Sequence, residues 1–169
     1  MTSEPVRTTL VTPDMEARKG VWSGERVSYP VTETDIRRWA IASYWPETPP
    51  RLFWDPEYAA TTHWGGIVAP EDFNPFAWPV PMPRPPRDER PAEAAANAGP
   101  PVRMMNGGLV DTFHAPIRPG DVITSKIRLK DWNERETRLG LTLFSDTETE
   151  WRNQKGELVK TRVQTAIRY

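Results

Sequence analysis

Two histidines and an adjacent pair of carboxylates are candidates for proton transfer. His63 precedes a tryptophan and a glycine pair, and Glu71 is followed directly by Asp72. An imidazole or carboxyl group in a water-poor pocket can act as a general acid or base. His63 and Asp72 are therefore candidate catalytic residues, with Glu71 beside them.

The composition excludes several classes of function. The 169 residues contain no cysteine, which rules out disulfides, thiolate zinc sites and a cysteine nucleophile. Two histidines and scattered carboxylates form no metal-ligand pattern, so we expect neither a metal nor a cofactor. The formal net charge of −1 gives no electrostatic reason to bind nucleic acid or a membrane surface. No stretch approaches the roughly 18 apolar residues of a membrane span and no signal peptide is recognised, so we expect a cytoplasmic protein.

An amphipathic helix of about three turns is predicted after Thr32. Thr32 is its expected N-cap, with Asp35 as capping-box partner. One helical face carries Ile36, Trp39, Ala40, Ser43 and Tyr44.

A second, shorter helix is predicted to begin after Asp55. Asp55 can cap the free amides, and Pro56 suits the first helical position. The Gly65-Gly66 pair ends this helix, and residues 67–70 then run extended because Pro70 restricts the residue before it.

The last third of the sequence predicts antiparallel strands. An early strand is expected at Val27–Val31, and later strand patterns cover 122–130, the alternating leucines of 139–143, and 158–169. Residues 133–136 are a predicted hairpin loop, and 153–156 a turn in which Gly156 supplies positive φ. Strands following early helices predict an α+β fold.

The chain divides into a polar segment, 1–20, and a single expected domain, 21–169. Many of the 19 prolines lie in an insertion at about 79–101. This insertion is either a solvated surface loop, an arm that packs on a partner subunit, or a lid over a pocket mouth.

Four short segments, in this order, resemble the MaoC-like dehydratases. They are 31–40 (VTETDIRRWA), 55–59 (DPEYA), 65–70 (GGIVAP) and 114–121 (HAPIRPGD). The resemblance spans roughly residues 15–169 and is to the amino-terminal, FAS1-like dehydratase half of the two-part (R)-specific enoyl-CoA hydratases. It implies a hotdog fold, in which a curved antiparallel β-sheet wraps around a central helix.

The resemblance also implies that the catalytic pair is missing. Catalytic members carry an aspartate and a histidine in a Gly-Asp-x-Asn-Pro-x-His segment, which orient a water molecule and move its proton. The corresponding segment here is 49–55 (PPRLFWD), which has Leu52, Phe53 and Trp54 where the histidine would stand. Asp55, which follows, is better explained as the helix cap.

Subunits that lack the pair have room for a bulky acyl chain. Glycines permit close backbone approach, and the apolar residues around them would receive the chain. The expected acyl-binding residues are Trp64, Gly65, Gly66, Ile67, Val68, Ala69, Pro70 and Phe73. Ile67 and Val68 are equally compatible with ordinary core positions. His114, frequent at this position in the amino-terminal halves, is interpreted as structural.

Three hypotheses remain open. The leading one is an acyl-binding, non-catalytic subunit of a heteromeric enoyl-CoA hydratase/dehydratase, a lyase whose Asp/His pair lies in a MaoC-like partner of a heterodimer. The second is a self-sufficient hydratase or dehydratase that pairs with a second copy of itself and uses His63 and Asp72. The third is a thioester-binding protein without turnover. In each case the ligand is an acyl-CoA or acyl-carrier thioester.

Overall fold

The computed structural model describes residues 9–77 and 103–169, in which helices are short and strands long. The described helices are Pro13–Arg18 (α1), Glu33–Tyr44 (α2) and Pro56–Thr61 (α3), with a 3₁₀ turn at Arg51–Phe53. The described strands are Ser23–Val27 (β1), Met104–Phe113 (β2), Thr124–Thr137 (β3), Gly140–Arg152 (β4) and Leu158–Arg168 (β5). The proline-rich insertion predicted at about 79–101 lies outside the described residues.

The strands form one antiparallel sheet in the order β1-β3-β4-β5-β2. β3, β4 and β5 are neighbours in both sequence and space, as expected for hairpins. β2 pairs along β5 with Asp111 opposite Arg162 and Phe113 opposite Lys160. β1 and β2 are therefore the two edges of the described sheet.

Helix α2 begins at the predicted capping box. The Thr32 hydroxyl accepts a hydrogen bond from the Asp35 amide at 3.1 Å, and the Asp35 carboxylate accepts one from the Thr32 amide at 3.0 Å. On the apolar face, Ile36 is fully buried in a cluster that includes Trp151 of β4 and Val159 of β5. The first turns of this face therefore pack against one face of the sheet, as the periodicity predicts, whereas Ser43 and Tyr44 at its end are exposed.

The hairpin between β3 and β4 is tighter than the sequence predicts. Residues 133–136, predicted to be a loop, pair with residues 141–144 in the ladder. Thr137 faces Gly140, so the turn consists of Arg138 and Leu139. Gly140 adopts φ of +88°, which residues with a side chain rarely adopt. The loop prediction was wrong because the polar residues of this hairpin lie in a solvated part of the ladder.

The first strand lies earlier than predicted. The sequence predicts a strand at Val27–Val31, whereas the structure has it at Ser23–Val27. Pro30 has no amide hydrogen to donate and interrupts the ladder. Beyond it, Val31 donates to the Asp121 carbonyl at 2.9 Å. Helix α1, capped by the Thr12 side chain, likewise forms within the 1–20 segment, where no helix was predicted.

Candidate functional site

A cavity of about 470 Å³ lies between the end of α2, the 64–73 loop and strands β2 and β5. Most of the side chains on its wall are apolar, including Leu52, Phe53, Val68, Phe73 and Ile117. Its ionisable residues, among those the structure describes, are Tyr44, Glu71, Asp72, His114 and Lys160. Its size is typical of a small-molecule site.

The 3₁₀ turn at Arg51–Phe53 supplies part of the apolar wall through Leu52 and Phe53. Asp55 fixes the turn because its Oδ2 accepts from the Arg51 guanidinium at 2.6 Å and its Oδ1 accepts from the Tyr58 amide at 3.0 Å. Both hydrogen bonds lower the pKa of the Asp55 carboxyl below its ordinary value, and the bond from the Tyr58 amide has the larger effect. Asp55 is thus the N-cap of α3, as the sequence predicts.

The loop after α3 is held in place by hydrogen bonds with residues 117 and 118. Gly65 turns the chain with φ of +66°, a value that favours glycine. Arg118 donates through Nη2 to the Trp64 carbonyl at 2.8 Å. The Ala69 amide donates to the Ile117 carbonyl, also at 2.8 Å. These bonds hold the apolar segment that follows the glycines in an extended form along the cavity wall.

Lys160 is a buried charge on this wall, with its side chain only 4% exposed. Its ammonium lies 3.0 Å from Asp111 Oδ2, 4.4 Å from the Trp151 ring centroid and 5.1 Å from that of Phe113. Arg162 also binds Asp111, through Nε and Nη2, both at 2.7 Å. These bonds from Arg162 are the main reason that the Asp111 pKa is lowered. Burial lowers the Lys160 pKa despite the attraction of Asp111.

The family of this chain is shown by its match to a sequence profile. The profile of the "FAS1-like, dehydratase domain region" matches residues 17–162. The chain belongs to this family of FAS1-like dehydratase domains. A search of curated protein sequences found no match.

Solved structures similar to this FAS1-like domain include MaoC-like dehydratases and related complexes. A chain of the ChsH1-ChsH2 complex from Mycobacterium tuberculosis matches with a TM-score of 0.65 and 19% identity, over 91% of this chain and 86% of that chain. The MaoC-like dehydratase from Rhodospirillum rubrum matches with a TM-score of 0.54 and 17% identity, over 85% and 89%. The C-terminally truncated HadBC (3R-hydroxyacyl-ACP dehydratase) complex from M. tuberculosis matches with a TM-score of 0.54 and 16% identity, over 88% and 96%. The predicted hotdog fold and the MaoC-like resemblance are confirmed.

The structure places most of the predicted acyl-binding residues on the cavity wall. These are Trp64, Val68, Ala69, Pro70 and Phe73. Gly65 closes a turn by donating to the Thr62 carbonyl at 3.0 Å, Gly66 follows it, and Ile67 packs in the buried core cluster. That any of them binds an acyl group stays a prediction.

The structure does not bring the two alternative catalytic residues together on the cavity wall. Asp72 borders the cavity and accepts a hydrogen bond from the Ser43 hydroxyl at 2.9 Å. His63 is exposed, and its ring centroid lies 4.3 Å from that of Trp64. A catalytic role for either residue stays a prediction.

The sequence reasoning missed the part of the cavity wall formed by β2, β5 and the segment after β2: Phe113, Ile117, Val159 and Lys160 were not named, and His114 was interpreted as structural. Lys160 is the charged residue of this set. Strict alternation would send Val159 and Lys160 to opposite faces of β5. On β4, however, Arg152 pairs with Leu158 and Trp151 pairs with Lys160, so Val159 is the extra residue of a β-bulge. Both residues are consequently buried, at 4% and 3% exposure, and both border the cavity. No residue pattern in the sequence predicts this bulge.

Two kinds of feature are absent from the described residues. Within residues 9–77 and 103–169, no three histidine, aspartate or glutamate side chains are grouped so that they could hold a metal ion. No helix in the same part of the chain is long and apolar enough to cross a membrane.

Proposed function

We propose that this chain is an acyl-binding, non-catalytic subunit of a heteromeric enoyl-CoA hydratase or dehydratase. The observation that carries the proposal is the position of Leu52 and Phe53. They belong to the segment where the resemblance expects the catalytic histidine, and both side chains border the cavity. Apolar groups there can contact an acyl chain, but they cannot donate or accept the proton that hydration requires.

The nearest acid in that segment supports the same conclusion. Asp55 is bound by Arg51 and by the Tyr58 amide, and both interactions lower its pKa. A carboxylate held in its ionised form as a helix cap is poorly suited to donate a proton near neutral pH. The proposal therefore assigns the acid/base chemistry to a partner subunit.

Strand β2 offers an edge on which such a partner could dock. One side of β2 pairs with β5, and the other side is an edge of the described sheet. Met104 and Val110 are 68% and 65% exposed, and Leu109 is also exposed. A long, apolar edge strand readily pairs with another chain. Two similar structures, ChsH1-ChsH2 and HadBC, are complexes by name, which supports a second hotdog subunit as the partner.

A paired hydration assay tests the proposal. The chain, a MaoC-like protein encoded beside it, and the co-purified pair are each mixed with an enoyl-CoA, and loss of the conjugated double bond is followed by absorbance. We expect full activity from the pair only. Full activity from this chain alone would refute the proposal and redirect attention to His63 and Asp72, whose joint replacement (His63→Ala with Asp72→Asn) should then abolish turnover. Thioester binding with no product, even from the pair, would instead indicate a binding protein without turnover.

Two exposed valines on opposite edges allow the docking surface to be tested separately. Val110→Asp places a charge on β2, and Val27→Asp places one on β1, where Val27 is 60% exposed. We expect Val110→Asp to prevent co-purification of the partner and Val27→Asp to leave it intact. Equal loss in both variants would contradict docking at β2.

A further inference from the structure

The pairing of β5 with its two neighbouring strands puts a lysine among apolar groups on the cavity wall. Trp151 on β4 and Phe113 on β2 lie directly opposite Lys160 in the two flanking ladders. The aromatic rings therefore flank the ammonium from both neighbouring strands, at 4.4 and 5.1 Å. An ammonium group is strongly hydrated in water, and here aromatic carbon replaces much of that water. Burying such a group costs free energy unless polar partners are present.

Among the described residues, the polar partners of the Lys160 ammonium are incomplete. An ammonium group has three N–H donors, and Asp111 is its ion-pair partner among the described residues. The same carboxylate accepts two hydrogen bonds from Arg162. One negative charge thus faces two positive charges, and Lys160 keeps donor capacity at the cavity wall.

We propose that Lys160 is a specificity-determining residue, whose ammonium group donates a hydrogen bond to an uncharged oxygen atom carried by the bound acyl chain. The inference rests on the proposed function, since it names a substrate class for that same cavity: acyl groups bearing a ketone or hydroxyl. Such an oxygen supplies the missing acceptor, while the rest of the chain meets the apolar wall.

The charges around the cavity favour an uncharged oxygen over a carboxylate. Glu71 and Asp72 also border the cavity, and Asp72 acts electrostatically on Lys160. A carboxylate on the acyl chain would meet these two acids as well as the lysine. A ketone or hydroxyl accepts the hydrogen bond without that repulsion.

Calorimetric titration of the full chain tests the assignment. The ligands are octanoyl-CoA, a set of oxo-octanoyl-CoA thioesters with the ketone at each of carbons 4 to 7, and octanedioyl-CoA, which ends in a carboxylate. A hydrogen bond to a charged group contributes about 1.5–3 kcal/mol. At least one oxo thioester should therefore bind the wild type about tenfold or more tightly than octanoyl-CoA.

Lys160→Met should abolish this preference and leave octanoyl-CoA binding similar or tighter. The variant leaves Asp111 bonded to Arg162, and near-UV circular dichroism reports whether it folds. Lys126→Met, at an exposed lysine that pairs with Glu25, is the matched control and should retain the wild-type preference.

Several outcomes would overturn the inference while the proposed function stands. They are equal binding of oxo and unsubstituted thioesters by the wild type, a preference that persists in Lys160→Met, and tightest binding of octanedioyl-CoA. The wild-type comparison decides the first and third even if the variant does not fold. Absence of binding by every thioester, with and without the partner, would refute the proposed function and this inference with it.

Discussion

Narrowing the cavity should weaken the binding of long acyl chains selectively. Val68 is 3% exposed and borders the cavity, so Val68→Phe directs a phenyl ring into the 470 Å³ space. If the ring displaces about three methylene groups, at about 0.8 kcal/mol each, the lost affinity is about 2.4 kcal/mol. That corresponds to a roughly 50-fold higher Kd for a long-chain thioester.

The assay is calorimetric titration of wild type and variant with butanoyl-, octanoyl- and dodecanoyl-CoA. The wild type should gain up to roughly fourfold in affinity per buried methylene. The variant should stop gaining at a shorter chain and bind butanoyl-CoA within about threefold of the wild type. Val27→Phe, on β1 and exposed, controls for added aromatic surface. Equal weakening for short and long chains, or none, would refute the assignment of this cavity to the acyl group.

Three further predictions concern stability and are checked by urea unfolding. Thr32→Ala removes the hydroxyl that accepts a hydrogen bond from the Asp35 amide and should cost about 1 kcal/mol; an unchanged unfolding midpoint would contradict the cap's role. Phe73→Ala removes a ring that is 2% exposed and should cost about 3–5 kcal/mol, whereas a loss below about 1 kcal/mol would show that its packing is unimportant. Bonds from Arg162 place the folded-state pKa of Asp111 below its ordinary 3.8, so the stability from Asp111 is complete above pH 3.8 and lost as pH falls through the lower folded value. Asp111→Asn should therefore have a lower free energy of unfolding than the wild type at pH 7, and this difference should disappear in acid. A difference that does not change with pH would contradict the reasoning.

Local signals explain why the helices around the site could be predicted. Thr32 and Asp55 each bond free amides within their own first turn, so a few residues of sequence contain the whole interaction. The same is true of Gly156, whose φ of +80° closes the predicted turn before β5. The apolar segment after Gly65 was also recognisable because its order of residue types matches a family pattern.

Strand β2 could not be predicted from local signals. Its Asn106-Gly107-Gly108 sequence is typical of a turn, yet it lies within the ladder at a register shift. A Cβ atom at Gly107 would lie 2.8 Å from Ile167 Cγ1. The glycine is therefore required by the close approach of Ile167, sixty residues later in the chain, and sequence periodicity contains no signal of that contact.

The composition of the cavity wall likewise depends on contacts that local sequence does not predict. Leu52 and Phe53 were recognised as replacements for a histidine, but their place on the wall follows from the 3₁₀ turn that Arg51 and Asp55 stabilise. Val159 and Lys160 both border the cavity because β5 has one more residue than β4 at the bulge. If side chains alternated strictly along β5 with Val159 buried, Lys160 would be expected to face the solvent.

The bulge in β5 places two consecutive side chains, Val159 and Lys160, on the wall of the same cavity. Deleting Val159 would leave Leu158 opposite Arg152 and Lys160 opposite Trp151, as they already are in the ladder. The lysine would therefore keep its face of the sheet, and the cavity would lose the apolar side chain beside it. One inserted residue thus sets the balance between apolar and charged surface at this point of the wall. In an alignment of related sequences, a one-residue gap here would mark a change in the apolar lining of the cavity, with the lysine retained.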